Sequence, residues 1–350
     1  MIGPLQSLRF LFASMIFLHH FPVAGRDGWA AGGPCGVSFF LVLSGFVLSA
    51  GYGERVRSVG FDGRAFFRKR WLRIYPLHLL CLAGYLLLHV FRFDAAQWLD
   101  LVPNLLLLQS WFPAKAVYFS GNAVSWCLSD LLFFYALFPL LARSVGAVSI
   151  RQLGVGMAGV LCVYLLLAAW MPADRVHAFL YVCPLFRLVD FLVGICLYRL
   201  FVGLQPAMRN LCVRWGYGTK TLVEVLPLLL LGAGLWLFPL VPERWNAAAY
   251  WWIPISLIIL LYASCENIGG GISRMLSNRR PVRLGELSFT FYLIHQMGIG
   301  VLTGLLHRLS VELPWPLACL SIFILLWGVS YGISRYFEQP VTAFLTAKLT

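Results

Sequence analysis

The sequence predicts an all-α polytopic membrane protein with about ten transmembrane helices, and three observations support this class. First, 60% of the 350 residues are hydrophobic and only 12% are charged, and the mean hydropathy is +0.81. Second, apolar runs of about 20 residues, the length that crosses a hydrocarbon core, recur along the chain. Third, the basic residues behind the net charge of +13 lie mostly between those runs. This pattern excludes a soluble globule and favours a lipid bilayer, rather than nucleic acid, as the partner.

Ten runs are long and apolar enough to be predicted as spans. They cover residues 5–24, 34–52, 75–92, 123–142, 152–171, 179–199, 222–240, 250–264, 284–306 and 315–334. An eleventh run, Leu99–Trp111, is shorter and contains Pro103 and Asn104. The aromatic residues near the start of the eighth span are interpreted as an interfacial belt: Trp245, Tyr250, Trp251 and Trp252.

Basic residues decide the orientation, because cytoplasmic loops carry an excess of Lys and Arg. With ten spans and both termini cytoplasmic, most of the 27 basic residues lie inside. Counting Leu99–Trp111 as a span would move the basic clusters at 199–220 and 274–283 outside. We therefore expect this run to form a re-entrant or interfacial segment on the outer side. The longest interval between spans is 93–122, so we expect one membrane domain over 1–350 and no fused soluble domain.

The first span carries two polar groups on one helical face. Arg9 and His20 are eleven residues apart, and eleven steps of 100° return the helix to within about 20° of the same direction. The two residues are separated by roughly 16 Å along the axis, whereas His19 points about 80° away from their face. Polar groups at membrane depth are costly unless they have a partner or a function. The arrangement suits a long anionic ligand with its charged end near Arg9 and its reactive end near His20.

Arg9 and His20 also form the first of seven motifs that occur in order along nearly the whole chain. The others are GVSFFLVLSGF (36–46), FRKRWLRIYP (67–76), SWCLSDLLFFYALFPLL (125–141), FRLVDFLVG (186–194), LGELSFTFYLIHQ (284–296) and YFEQP (336–340). Together they resemble the acyltransferase-3 family of integral-membrane acyltransferases. The resemblance implies transfer of an acyl group, usually acetyl, from cytoplasmic acyl-CoA to a hydroxyl. The implied acceptor is a glycan or lipid-linked sugar of the cell envelope or a secreted glycan, and the implied location is the cytoplasmic (inner) membrane.

Within that reaction, neutral His20 would act as a general base on the acceptor hydroxyl. A transient acyl-histidine is the alternative, and the sequence does not choose between them. Arg9 would contact the donor or support the active site, and its other interpretation is a positive-inside anchor. Arg70 and Arg73 lie three residues apart, on one helical face just before the third span. Because planar guanidinium groups bind phosphate oxygens well, we predict that this pair binds acyl-CoA.

Four further polar residues lie inside predicted spans. Arg187 and Asp190 are three residues apart and are interpreted first as a mutually neutralising pair and second as acceptor-recognition residues. Asp130 and His295 are candidates for lining the active site. Asp130 stands one position earlier than the Glu that the family often carries, which leaves its role open. No metal site is predicted, because the sequence has no Cys-x-x-Cys pair and no His/Cys cluster with zinc spacing.

A membrane transporter is the alternative from another functional class, since ionisable groups inside spans also serve the conduction of substrates or protons. No internal repeat supports it. A transporter should neither bind CoA specifically nor release it. The sequence leaves open the acceptor's identity, the acyl chain length and whether the chain forms a homo-oligomer.

Overall fold

The computed structural model describes residues 2–22, 28–89, 93–264 and 269–349, and within these ranges the chain is largely helical with no strand. The α-helices there are α1 (Gly3–His20), α2 (Gly32–Tyr52), α3 (Gly63–His89), α4 (Ala95–Leu105), α5 (Lys115–Tyr118), α6 (Trp126–Ala147), α7 (Ile150–Trp170), α8 (Pro184–Arg214), α9 (Tyr217–Leu237), α10 (Glu243–Asn246), α11 (Trp252–Ser264), α12 (Gly271–Leu276), α13 (Arg279–Arg308), α14 (Trp315–Ile333) and α15 (Gln339–Leu349). Short π-helical turns cover His177–Val182 and Ser334–Glu338.

Each of the ten predicted spans overlaps one of these helices, and residues 23–24 of the first span and 90–92 of the third lie outside the described residues. In the described part of the chain, seven helical stretches are long and apolar enough to cross a membrane, and eight if the stretch 173–182 and α8, bent by 43° at their junction, form one span. α1, with 18 residues, and the shorter apolar helix at 249–264 are outside that set. The all-α polytopic membrane fold is therefore confirmed. The count of ten and the side of each terminus stay predictions.

The run Leu99–Trp111 divides into two short pieces. Its first half belongs to α4, which has 11 residues and is therefore about 16 Å long, half the thickness of a hydrocarbon core. Asp94 and Gln97 form a capping box that starts this helix. Asn104 is buried and its Nδ2 donates to the Ser120 carbonyl at 2.6 Å. The run thus folds back onto the bundle, in agreement with a segment that does not span.

Parallel packing of α1 and α13 fixes the centre of the bundle. The start of α1 meets the start of α13, since Gly3 lies beside Ser277 and Val282. Three residues further on, Gly285 faces the backbone of Gln6 so closely that a Cβ would collide with its carbonyl. First and ninth spans run in the same direction in the ten-span topology, whereas an added crossing at 99–111 would make them antiparallel. The packing therefore favours the ten-span topology.

The second closely packed pair of helices is α2 and α8. A Cβ at Gly45 would meet the Phe191 carbonyl, and one at Gly194 would meet the Val42 carbonyl, so the two backbones touch at reciprocal glycines. In contrast, α7 and α9 have only 11% and 17% of their span residues buried inside the protein. These two helices form the lipid-facing periphery. The central four helices, α1, α2, α8 and α13, carry most of the polar residues singled out by the sequence.

Candidate active site

A cavity of about 690 Å³ opens at the end of the bundle where α1, α3 and α13 begin and α2 ends. Arg9, Arg70 and Arg73 all line it, so the structure brings together three arginines that the sequence places on two different helices. By the predicted topology, this end faces the cytoplasm. Deeper in the cavity the walls are formed largely by apolar side chains, including Val37, Phe40, Leu43, Ile74, Leu128 and Leu131. The cavity therefore combines a cationic mouth with an apolar interior.

Arg70 is held against an aromatic ring that the sequence analysis did not single out. Its Nη2 donates to the Tyr52 hydroxyl at 2.8 Å, and its guanidinium carbon lies 4.8 Å from the centroid of the same ring. This is a cation–π contact combined with a hydrogen bond. A guanidinium has five N–H donors, so Arg70 is oriented by Tyr52 and keeps further donors for an anion.

Arg73 is oriented by a carboxylate from the other end of the chain. Its Nη1 lies 2.8 Å from Oε1 of Glu338, and the Arg73 side chain remains 45% exposed. Oε2 of Glu338 accepts a hydrogen bond from Thr290 at 2.5 Å. Glu338 belongs to the YFEQP motif, yet nothing in the sequence indicates a contact over 265 positions. The half-exposed guanidinium can therefore still meet a ligand while Glu338 fixes its place.

Arg9, in the first part of α1, lines the same cavity mouth as Arg70 and Arg73. Its Nη1 donates to Oε1 of Gln6 at 3.1 Å, one turn earlier on the same helix. Three guanidinium groups line the cavity mouth, and they outnumber the two carboxylates of the described residues that interact with them, Glu338 and Glu286. An anionic ligand group is therefore favoured electrostatically at this mouth.

His20 and His295 form a pair, although 275 positions separate them in the sequence. Nδ1 of His20 lies 3.0 Å from Nε2 of His295, and the ring centroids are 5.0 Å apart. The contact follows from the parallel packing of α1 and α13. His295 is fully buried, whereas His20 is partly accessible.

Backbone carbonyls decide which nitrogen of each ring carries the proton. Nδ1 of His295 lies 2.6 Å from the Tyr292 carbonyl, which can only accept, so this nitrogen must donate. Nε2 of neutral His295 is then an acceptor, and Nδ1 of His20 donates to it. The Ile16 carbonyl, 3.0 Å from the same His20 nitrogen, requires the same assignment. Neutral His20 therefore has its free lone pair on Nε2, the atom that a general base or a nucleophile needs.

The histidine pair and the cavity are linked through Tyr292. This tyrosine lines the deep part of the cavity together with Cys127. Its hydroxyl donates to the Val124 carbonyl at 2.8 Å, and its own carbonyl accepts from His295. His20 is not itself among the residues lining the cavity. The shared face of Arg9 and His20 thus leads from the cavity mouth towards the histidine pair, with Tyr292 between them.

His19 has different partners from His20. Its Nδ1 lies 3.1 Å from the Trp29 carbonyl in the segment before α2. The rings of His19 and His20 are 4.8 Å apart and nearly perpendicular. Among the contacts of the described residues, the hydrogen bond to Nε2 of His295 comes from His20.

Arg187 and Asp190 form a separate, fully buried network. Both side chains are fully buried, with 3.6 Å between Nη1 of Arg187 and Oδ2 of Asp190. Arg187 also donates to Ser38 Oγ at 3.1 Å and to the Ala247 carbonyl at 3.2 Å, and Trp252 Nε1 donates to Asp190 at 3.1 Å. Neither residue lines the arginine cavity. The network joins α2, α8 and α11, which agrees with the structural interpretation of the pair.

Asp130 is also buried away from the cavity surface. It sits on α6 near enough to Arg187 and Asp190 to interact electrostatically, and its relative accessibility is 0%. The cavity wall on this helix is formed instead by Cys127, Leu128, Leu131 and Tyr135.

The prediction of an interfacial aromatic belt near the eighth span is wrong for Trp251 and Trp252, whose side chains are buried inside the protein. The amphipathic character of Trp also suits an inward-facing hydrogen bond such as the one to Asp190.

Over residues 2–22, 28–89, 93–264 and 269–349, no three His, Cys, Asp or Glu side chains are grouped so that they could hold a metal ion.

The fold and this site define a class: a polytopic membrane protein whose cationic cavity leads towards a pair of histidines. A model of the acyltransferase-3 family, described as an acyltransferase domain, matches residues 5–335. The acyltransferase MdmB of Streptomyces mycarofaciens is 32% identical over 287 residues, which cover 76% of this chain and 68% of that relative. No solved structure matches the chain significantly. The chain belongs to the acyltransferase-3 family, as its motifs predict, and the comparisons favour an acyltransferase over a transporter.

Proposed function

We propose that the protein is an O-acetyltransferase of the cytoplasmic membrane that uses acetyl-CoA and modifies a hydroxyl of a cell-envelope or secreted glycan. One observation carries this proposal: a single cavity has three arginines at its mouth and is lined at its deep end by Tyr292, whose carbonyl contacts His295 of the histidine pair. The phosphate charges of the donor and its reacting thioester carbonyl would thus lie at separate positions along one path.

The donor would enter from the cytoplasm with its phosphates at the mouth. Arg70 and Arg73 would bind phosphate oxygens, and Arg9 would add a third positive charge. The apolar interior suits the uncharged arm of CoA, which carries the thioester. From Arg9 to His20 the helix rises roughly 16 Å. A long donor with its charge at one end and its reactive group at the other matches this spacing.

The proposed chemistry uses the lone pair on Nε2 of His20. This nitrogen takes the proton of the acceptor hydroxyl while the oxygen attacks the thioester carbonyl, and the resulting tetrahedral intermediate expels the CoA thiolate. The proton then passes from His20 to the thiolate, so that the products are an ester and CoA thiol. His20 is cationic between these steps, and its Nδ1–H donates to His295, which stabilises that charge. In the alternative route, the same lone pair would attack the thioester and form an acyl-histidine.

Donor binding is tested with purified protein in lipid nanodiscs. We expect the double variant Arg70→Ala/Arg73→Ala to bind acetyl-CoA at least tenfold more weakly, since two charge-assisted contacts of about 1.5–3 kcal/mol each are removed. The matched control is Arg64→Ala/Arg68→Ala, which removes two exposed arginines of the same helix that do not line the cavity. Equal acetyl-CoA affinity in the two double variants would refute the donor site.

The acceptor class is tested in cells. A deletion strain should lose an O-acetyl signal from its surface or secreted glycans in NMR spectra, and the wild-type gene, but not the His20→Ala variant, should restore it. Glycan spectra that are unchanged by the deletion would reject a glycan acceptor.

A further inference from the structure

A second cavity, of about 610 Å³, lies at the opposite end of the bundle. It is formed by the last turns of α3, by the last three turns of α13 and by the segment 119–123. By the predicted topology this end faces outwards, away from the arginine cavity. The two cavities therefore approach the protein interior from opposite sides.

The outer cavity lies beside the part of α13 that carries His295. Gln296 lines the outer cavity and directly follows His295. Asn122 also lines it, and its Nδ2 donates to the Leu293 carbonyl at 2.8 Å. On the other side of the same two segments, Val124 accepts the hydrogen bond of Tyr292, which lines the arginine cavity. The segments 122–124 and 292–296 thus lie between the two cavities, and His295, the partner of His20, belongs to the second segment.

The outer cavity is polar at its ends and apolar between them. Gln296, Gly300, Gly304 and Arg308 follow one another every four residues along α13, a row about 18 Å long. Beside this row runs a second one, formed by Met297, Val301 and Leu305. A Cβ at Gly300 or Gly304 would meet no atom within 4 Å, so the two glycines leave a depression that is open along its length.

Ring surfaces form the facing wall. Tyr85 and His89 at the end of α3 stack with their centroids 4.3 Å apart, and Phe119 lines the cavity near them. Flat aromatic faces bind apolar and weakly polar ring surfaces. Polar groups remain at the deep end, where Gln296 makes no hydrogen bond within the described part of the chain, and at the outer end, where Arg308 stands.

We propose that the outer cavity binds the acceptor and that the acceptor is amphiphilic, with its hydroxyl at Gln296 and an apolar body along Gly300 and Gly304. This inference rests on the proposed function and narrows its acceptor class from glycans in general to a sugar or hydroxyl attached to an apolar body. A hydrophilic polysaccharide strand would have to desolvate its hydroxyls against Met297, Val301 and Leu305 without hydrogen bonds in return, which is costly. An apolar body has no hydrogen bonds to water that it would lose in this cavity.

The test fills the depression without disturbing the fold. Gly304→Leu places a side chain in open space, and Gly159→Leu does the same on the peripheral helix α7, so both gain the same helix propensity. Membrane vesicles containing the full chain receive labelled acetyl-CoA together with either a chloroform–methanol extract of the host's membranes or its water-soluble glycans. We expect label in the organic-soluble fraction. We also expect the KM for that extract to rise about tenfold in Gly304→Leu, the change that losing contact with roughly two methylene groups gives.

Three controls separate the outcomes. Acetyl-CoA affinity should be equal in the wild type and in both glycine variants, and Gly159→Leu should keep the wild-type KM. Label that enters only water-soluble glycans, or an unchanged KM in Gly304→Leu, would overturn the amphiphilic acceptor while leaving the proposed function standing. No acetyl-CoA binding and no label in either fraction would reject the proposed function itself, and this acceptor with it.

Discussion

The Arg187–Asp190 pair and the arginine cavity with its histidine pair both bring charged or ionisable side chains into the helical bundle, and they differ in the open space beside those side chains. Arg187 and Asp190 have their contacts within the protein, with Ser38, Ala247 and Trp252 as further partners, and no cavity reaches them among those described above. The arginine cavity with the histidine pair is also rich in polar contacts. There, however, the guanidinium groups of Arg70 and Arg73 face an open volume, and the derived tautomer leaves Nε2 of His20 without a proton.

The difference teaches that charge inside a membrane protein does not by itself mark a site. A buried pair whose opposite charges neutralise each other mainly connects helices, as α8 is connected here to α2 and α11. A functional group needs remaining donors or a lone pair, together with space for a ligand. The consequences of mutation should differ accordingly: loss of activity at one group, and loss of stability at the other.

The largest expected effect is at His20. Because its Nε2 is the proposed base, His20→Ala should lower the rate of acyl transfer by about 10² to 10⁴, the usual contribution of a general base. Thermal unfolding of the purified variant should stay close to that of the wild type. Transfer at matched membrane levels is the measurement, and a His20→Ala protein with wild-type rates would remove His20 from the mechanism.

Arg187 should give the opposite pattern. Arg187→Ala leaves Asp190 buried without its cation, which typically destabilises a protein by about 3–5 kcal/mol. The double variant Arg187→Met/Asp190→Leu should recover much of that stability, because apolar residues of similar volume remove both charges together. Unfolding temperatures in detergent measure the effect. If Arg187→Ala kept full stability but lost acceptor-dependent transfer, the structural interpretation would be wrong and acceptor recognition would replace it.

His295 is a positioning residue in this scheme, since it contacts His20 rather than the substrates. Losing a hydrogen bond to a charged group of about 1.5–3 kcal/mol should lower kcat in His295→Ala roughly 10- to 150-fold. His295→Gln keeps an oxygen that can accept from Nδ1 of His20, so it should retain more activity. Acetyl-CoA affinity should not change in either variant. Equal loss in both, or a loss of donor affinity, would contradict positioning through that hydrogen bond.

Much of the fold could be predicted from the sequence, because a run of 20 apolar residues has few alternatives to a membrane helix. The same holds for Arg9, Arg70 and Arg73, whose spacing and basic context indicate one end of the bundle. Contacts between distant segments could not be read in this way. Nothing in the sequence pairs His20 with His295 or Arg73 with Glu338, since each contact depends on how α1, α3, α13 and the C-terminal helices pack.

The direction in which a side chain faces about its helix axis also could not be predicted from the sequence. Composition predicts that Trp251 and Trp252 lie near a membrane interface, but it does not decide whether a ring faces lipid or protein. Trp252 faces inwards because Asp190 accepts its hydrogen bond. Similarly, Asp130 is on a helix that lines the arginine cavity but on a different face of it. Only a motif with two members on one helix, such as Arg9 and His20, carries information about orientation.

The smallest effect is expected at His19, and it tests that information directly. His19 is adjacent to His20 and resembles it in residue type and depth, but its Nδ1 lies beside the Trp29 carbonyl, whereas Nδ1 of His20 contacts His295. His19→Ala should therefore keep transfer within about tenfold of the wild type, the effect of losing an ordinary hydrogen bond of about 0.5–1.5 kcal/mol. Its acetyl-CoA affinity should be unchanged.

The His19→Ala and His20→Ala variants should be assayed side by side at matched membrane levels, with thermal unfolding as the check on folding. If His19→Ala abolished transfer while His20→Ala did not, the helical-face argument and the motif alignment would both fail. If both well-folded variants were inactive, the two histidines would act jointly, and a mechanism with one base would have to be abandoned.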